Sequence, residues 1–311
     1  MSTQLTGRSG TTSEPLIATS RDQLRDALDR LARGRGSTCR TSFVPTMGAL
    51  HGGHASLLDE ARGRGDLLVA SIFVNPTQFA AGEDLSRYPR ALEADLEMCA
   101  THAVDVVFVP DVDVVYPGGT PHVTLDPGPV AEILEGASRP GHFHGVLTVV
   151  AKLFGLVRPA VAVFGQKDYQ QLVLIRRMVI DLCMPVEVVG APTVRETDGL
   201  ALSSRNRYLS HDERRAAVAL SAALGAGAAA GPAGSGDVLA AAERVLAREP
   251  LVSPDYVALR DVDLGAAPHA GDARLLVAAT LGSTRLIDNA AVTLGGAAVL
   301  DVPESAGLVA G

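Results

Sequence analysis

The feature that most constrains the fold is an alternation. Five short apolar runs recur: "TSFVPT" (41–46), "LLVASIFV" (67–74), "VDVVFVP" (104–110), "AVAVFG" (160–165) and "PVEVVG" (185–190). They are near-continuous in apolar residues, as strands covered on both faces are. Between them lie "ASLLDEAR" (55–62), "RALEADLEMCATH" (90–102), "GHFHGVLTVVAKLFGLV" (141–157) and "DYQQLVLIRRMVIDL" (168–182), which read as helices; Leu57, Leu58 and Ala61 share one face of the first. Strand–helix alternation over about 190 residues predicts an α/β fold, a Rossmann-like open parallel sheet with helices on both faces. Ligands of such sheets bind beyond the carboxyl ends of the strands. An earlier helix is expected over 19–36, capped by Ser20, with Gln23 completing a capping box.

The character changes near residue 193. "SHDERRAAVALSAALGAGAAAG" (210–231) reads as one alanine-rich helix, and "SGDVLAAAERVLARE" (235–249) as another with Ser235 as its cap. "PDYVALRDVDL" (254–264) and "ARLLVAATLGSTRLIDNAAVTL" (273–294) supply strands. The expected organisation is a Rossmann-like domain over 16–192 and a smaller C-terminal α+β domain over 193–302. The glycine-rich "GAGAAAGPAGSG" (225–236) reads as a flexible connection, and residues 1–15 and 303–311 as disordered tails.

Composition excludes several partners. The net charge is −8 and the pI about 5.5, so the chain lacks the positive field with which nucleic-acid binders collect phosphates. No apolar run reaches the roughly 18 residues of a membrane span, and the first residues hold no hydrophobic signal core. Cys39, Cys99 and Cys183 are odd in number and far apart, which reads as reduced thiols in a cytoplasmic protein. Of 27 basic residues only Lys152 and Lys167 are lysines, so arginine serves almost everywhere else. A retained lysine supplies a compact point charge.

The chemistry-bearing residues lie in loops after the strands. "PTMGALHGGH" (45–54) places two histidines three apart in a glycine-rich turn that opens a helix. Such a turn lets backbone approach a phosphate closely, and His51 and His54 can both donate to its oxygens. A zinc pair is the competing reading, but no third ligand has recognisable spacing. "VFGQKDYQQ" (163–171) brings Lys167 to the same sheet edge, with Asp168 either a helix cap or a nucleotide contact. "TDGLALSSRNRYLS" (197–210) adds hydroxyls and guanidinium groups, natural phosphate ligands. In "FVNPTQF" (73–79) and the later helix, Gln78 and Gln171 can hold a small hydroxy acid without adding charge.

In their order along the chain, "PTMGALHGGHASLL", "SIFVNPTQF", "YPR", "SRPGHFHGV", "VFGQKDYQQ" and "GLALSSRNRYLS" resemble the pantothenate synthetase (pantoate–β-alanine ligase) family of the nucleotidyltransferase superfamily. The histidine motif alone resembles only the superfamily, whose other adenylyltransferases use different acceptors. The resemblance implies that ATP and pantoate give pantoyl adenylate and pyrophosphate, and that β-alanine then displaces AMP. It implies an ATP site at Met47, Gly48, Ala49, Leu50, His51, Gly52, Gly53 and His54, at Gly165, Gln166, Lys167 and Asp168, at Val194, and at Leu202, Ser203, Ser204 and Arg205. His51, His54 and Lys167 would be catalytic, with His54 in the proton-donor place. Gln78 and Gln171 would hold pantoate, and Gln78 would border β-alanine. Mg²⁺ would accompany ATP, with Asp95 in its shell, and the small domain would close as a lid on each subunit of a homodimer. The chain departs from the family's pattern at Gly52, Leu202 and His144.

Overall fold

The computed structural model describes residues 14–36, 38–79, 85 and 91–295. The expected tails, apart from residues 14 and 15, and the "YPR" motif at 88–90 lie outside the described residues. Two compact units divide the chain, Met1–Tyr208 and Leu209–Gly311. The division falls later than the expected boundary at 192/193, and it leaves Leu202, Ser203, Ser204 and Arg205 with the first unit.

The first unit is built on β1 (Leu16–Ala18), α1 (Arg21–Arg35), β2 (Thr41–Thr46), α2 (Gly52–Arg62), β3 (Leu67–Ile72), α3 (Leu92–Thr101), β4 (Val106–Phe108), α4 (Val112–Val115), α5 (Glu135–Ser138), α6 (His142–Val157), β5 (Val161–Gly165), α7 (Tyr169–Asp181) and β6 (Glu187–Ala191). The six strands form one sheet in the order β1-β4-β3-β2-β5-β6, and every pair is parallel. From β2 the chain winds one way through β3 and β4, and β5 and β6 lie on the other side of β2. The strand order therefore reverses between β2 and β5, the place where open sheets part to admit a ligand. The loops after these two strands carry the histidines and Lys167.

Cores lie on both faces of the sheet. On one, Phe43, Val69, Phe108 and Phe164 pack with α6, whose Val146, Val150, Leu153 and Phe154 are buried. On the other, Val44, Leu68, Ala70 and Val163 pack with Leu58 and Ala61 of α2, Leu57 lying partly buried against them. The apolar runs face both ways, which is why they show no alternation.

Ser20 caps α1, accepting from the Gln23 amide at 3.2 Å. The Gln23 side chain returns to the Thr19 amide at 2.8 Å, one residue earlier than a regular capping box. Strand β1 pairs with β4 at the sheet edge and was not expected; three residues are too few to carry a pattern.

The second unit holds α8 (His211–Ala216), α9 (Val218–Ala229), α10 (Ser235–Leu246), β7 (Ser253–Asp261), β8 (Gly271–Leu281) and β9 (Thr284–Leu294), the strands forming an antiparallel sheet. Three expectations are corrected here. The alanine-rich segment forms two helices rather than one, parting at Ala217. Ser235 is the first residue of α10, whose cap position is Gly234 with φ +113°, not the cap itself. The segment 225–236 is ordered, as the end of α9, a 3₁₀ turn (Gly231–Ala233) and the start of α10. Its glycines serve close packing: a Cβ at Gly227 would lie 2.4 Å from a Leu275 methyl carbon, and one at Gly231 2.4 Å from the Thr293 carbonyl oxygen.

Candidate active site

The histidine loop leaves β2 at Thr46, whose hydroxyl donates to the Ser71 carbonyl at 2.7 Å and accepts from the Gly48 amide at 3.3 Å. Gly48 and Ala49 turn the chain with φ of +83° and +51°. A Cβ at Gly48 would sit 2.9 Å from Asp95 Oδ2, so both the conformation and the space require glycine. Asp95, 2% exposed, reaches over from α3 and accepts from the amides of Ala49 at 2.9 Å and Leu50 at 2.7 Å. Both carboxylate oxygens hold backbone amides, and Asp95 is not among the residues lining the cavity described below. It clamps the turn.

His51 caps α2. The Gly53 amide donates to His51 Nδ1 at 3.1 Å, and the His51 amide donates to His54 Nδ1 at 3.3 Å. The two histidines thus form a reciprocal capping box, with ring centroids 4.2 Å apart. Gly53 admits this arrangement, since a Cβ there would meet His51 Cε1 at 2.8 Å. With each Nδ1 accepting, each neutral ring carries its hydrogen on Nε2. Burial lowers the pKa of His51, helped by Lys167 and Arg207 and opposed by Asp168. Burial, with His51 and Lys167 adding and Asp168 opposing, lowers His54 to about 3. Both rings are therefore neutral at pH 7 in this site, and His54 offers a hydrogen bond from Nε2 rather than a cation's proton.

Gly165 closes β5, and a 3₁₀ turn, Gln166–Asp168, leads into α7. Asp168 occupies the cap position of α7 but makes no side-chain cap hydrogen bond, which removes the capping alternative. Gln166 donates to the Gly190 carbonyl at 3.0 Å and so ties the turn to β6. After β6 the chain makes a narrow hairpin. Leu202 N–H donates to Val194 O at 2.9 Å, Arg195 and Ala201 form an antiparallel bridge, and Gly199 takes φ +94° at the tip. The hairpin returns Leu202, Ser203, Ser204 and Arg205 to the end of the sheet.

These segments meet around one cavity of about 250 Å³. Met47, His51, Gly53 and His54 line it, as do Gly165, Lys167, Asp168, Val194, Leu202, Ser203, Ser204 and Arg205. Both expected acid-binding residues, Gln78 and Gln171, line it as well. Gly48, Ala49, Leu50, Gly52 and Gln166 do not; they shape the backbone behind it. Gly52 faces Leu202, whose methyl carbon lies 3.3 Å from where a Cβ at Gly52 would be, so two of the three departures from the family pattern touch. The third, His144, is absent from the cavity lining.

Asn75, Arg139 and His142 also line the cavity, and the sequence reading gave them no role. Two of them, Arg139 and His142, stand in "SRPGHFHGV". His142 Nδ1 lies 2.8 Å from the Gln78 carbonyl oxygen, and Arg139 Nη1 lies 3.1 Å from His142 Nε2. An apolar wall comes from α6, through Val146, Val149, Val150 and Leu153. Among the described residues lining the cavity, Lys167, Arg139 and Arg205 set three cations against one carboxylate, Asp168, a balance suited to a polyanion. Among the described residues, no group of three or more His, Cys, Asp or Glu is placed to hold a metal, and no helix is long and apolar enough to cross a membrane.

A family model described as pantoate–beta-alanine ligase matches residues 16–291. The chain belongs to that family. It is 59% identical over 272 residues to the pantothenate synthetase of Saccharopolyspora erythraea, covering 87% of this chain and 90% of that one. It is 57% identical over 293 residues to the pantothenate synthetase of a Nocardioides species, covering 91% and 87%. Among solved structures, the pantothenate synthetase of Thermus thermophilus matches with a TM-score of 0.81 and 46% identity, over 88% of this chain and 98% of that one. The pantoate–β-alanine ligase of Francisella tularensis, solved with β-γ ATP and β-alanine, matches with a TM-score of 0.74 and 34% identity, over 89% and 97%. The pantoate–β-alanine ligase fold thus comprises the six-stranded parallel sheet and the small antiparallel sheet described above.

Proposed function

We infer that the chain condenses pantoate with β-alanine at the expense of ATP, through pantoyl adenylate. The observation that supports this reading is the single cavity where the histidine pair, Lys167, the Ser203–Arg205 segment and the two glutamines converge. In the first step a pantoate carboxylate oxygen attacks the α-phosphorus of ATP. The bond to the β-phosphate breaks and pyrophosphate leaves. Such a step is accelerated by alignment and by donors aimed where charge develops. His51 and His54 would donate from Nε2, Lys167 and Arg205 would supply positive charge, and Ser203 and Ser204 hydroxyl donors. Val194 would meet the adenine side through its backbone. Gln78 and Gln171 would hold pantoate, with Gln78 beside β-alanine. In the second step the β-alanine amine attacks the acyl carbon, the bond to AMP breaks, and the amine nitrogen loses a proton. The mixed anhydride is already activated, so no protein nucleophile is required.

Mg²⁺ fits this donor set only as a companion of the triphosphate. Among the described residues, Asp168 is the one carboxylate lining the cavity, and a hard cation takes its remaining oxygens from phosphate and water. Bound there, it would shield phosphate charge. The cytoplasmic, homodimeric setting and the lid role for the second unit are part of the same reading. Exchange of labelled pyrophosphate into ATP tests the first step by itself. Exchange is expected with pantoate and without β-alanine; exchange independent of pantoate would assign the site another acceptor.

A further inference from the structure

Gln78 is an amide, with a donor on one end and an acceptor on the other, and its neighbours decide which end faces the cavity. Two backbone groups begin the chain of constraints. The Thr77 N–H can only donate, and it lies 3.3 Å from Asn75 Oδ1. The Gly145 carbonyl can only accept, and it lies 3.2 Å from Asn75 Nδ2. Together they allow the Asn75 amide one orientation. Asn75 Nδ2 then donates to Gln78 Oε1 at 3.0 Å, so the Gln78 oxygen is engaged behind the site. Gln78 Nε2 is left 3.1 Å from the sulfur of Met47, a weak acceptor that a ligand oxygen can outcompete.

Tyr116 stands behind Asn75. It is 2% exposed and absent from the cavity lining. Its hydroxyl donates to Asn75 Oδ1 at 2.8 Å, and the Thr77 hydroxyl lies within 3.2 Å of it. Its ring packs against Phe73, with centroids 6.2 Å apart, and Lys152 Nζ lies 5.3 Å from the ring centroid. One of the chain's two lysines is thus placed at the far end of this relay. Burial raises the pKa of the Tyr116 hydroxyl, with the Thr77 contact opposing, so it remains a donor at neutral pH. Helix α6 completes the frame: a Cβ at Gly145 would lie 2.2 Å from the Thr77 carbonyl oxygen, so helix and turn are in direct contact.

The Thr77 hydroxyl donates to the same Asn75 oxygen at 2.9 Å. We propose that Tyr116 is a positioning residue: its hydroxyl joins the Thr77 donors on Asn75 Oδ1 and keeps the already oriented Asn75 amide at hydrogen-bond distance from Gln78, which is thereby held as a donor-only group, so that the site selects an acceptor oxygen of its acid substrate at that point. The proposal rests on the reading of the cavity as the pantoate and β-alanine site. A glutamine free to turn would accept a donor there equally well. The relay removes that freedom without placing a charge beside the carboxylate.

Tyr116→Phe keeps the ring and removes the hydroxyl. Its KM for pantoate or β-alanine should rise about tenfold, the size expected from one lost hydrogen bond to a buried amide. Its KM for ATP should stay within about twofold, a split that general loosening of the fold would not produce. Asn75→Asp provides the second reading. It still accepts from Tyr116 but cannot donate to Gln78, so the Gln78 amide turns over, and the KM of the same substrate should rise further, again without a matching change for ATP. KM values for both acids within twofold of wild type in whichever variants fold, or a parallel rise for ATP, would overturn the proposal. An inactive wild-type enzyme would instead overturn the functional reading beneath it.

Discussion

His51 and His54 each do two jobs with two nitrogens. Nδ1 closes the capping box of α2, and Nε2 is the donor left for a ligand. Protonating either ring puts a hydrogen on Nδ1, where it faces a backbone N–H, so charging the pair breaks the cap. His54 is held near 3 in the folded chain, against 6.5 unfolded. Between those values the unfolded chain binds the extra proton, so this histidine lowers stability as pH falls through that window and has no effect well above it. Between pH 6.5 and 4.5 its share is about 2 kcal/mol. A His54→Asn variant should lose that much less stability than wild type over the same interval, as read by chemical denaturation at each pH. Equal slopes would show that His54 is not desolvated as described. Lys167 carries a separate expectation. Lys167→Ala should lower pantoate-dependent pyrophosphate release by about a hundredfold or more, the usual effect of losing a group that meets transition-state charge. Its melting temperature should barely change. Near-normal release would remove Lys167 from its assigned role.

At the scale of elements, the local chemistry was legible wherever it depended on neighbours in sequence. The loop between β2 and α2 announced itself through its glycines and paired histidines, and Ser20 through its place before a helix. The clamp made by Asp95 was not legible because it is set by tertiary structure. A carboxylate near an ATP loop suggests a metal, yet it holds amides 45 and 46 residues away. Asp95→Asn presents an NH₂ to one of those amides and leaves a buried donor unpaired, at about 1–3 kcal/mol. A thermal scan should show that loss, and the KM for ATP should rise as the turn loosens; an unchanged KM would mean that the turn holds its shape without the clamp. Asn75 escaped notice for a similar reason. Its sequence neighbours explain a turn, whereas its role comes from Gly145 and Tyr116, 70 and 41 residues on.

At the scale of the molecule, doubly covered strands made the parallel sheet readable, because burial on both faces leaves long apolar runs. The order of those strands was not readable, since only packing decides on which side of β2 each later strand lies. The second unit misled through composition. "GAGAAAGPAGSG" has the glycine content of a linker, but glycine is used there for close approach to Leu275 and Thr293. The first compact unit runs to Tyr208, beyond the end of the alternation at β6, because the hairpin after β6 belongs with it. The central claim is that this sheet edge activates pantoate with ATP and passes the acyl group to β-alanine. The direct test is pyrophosphate release from ATP and Mg²⁺ with D-pantoate, with and without β-alanine. The account predicts release of about one pyrophosphate per site with pantoate alone, and repeated turnover yielding AMP and pantothenate when β-alanine is added. No pantoate-dependent release from folded protein that still binds ATP would contradict it.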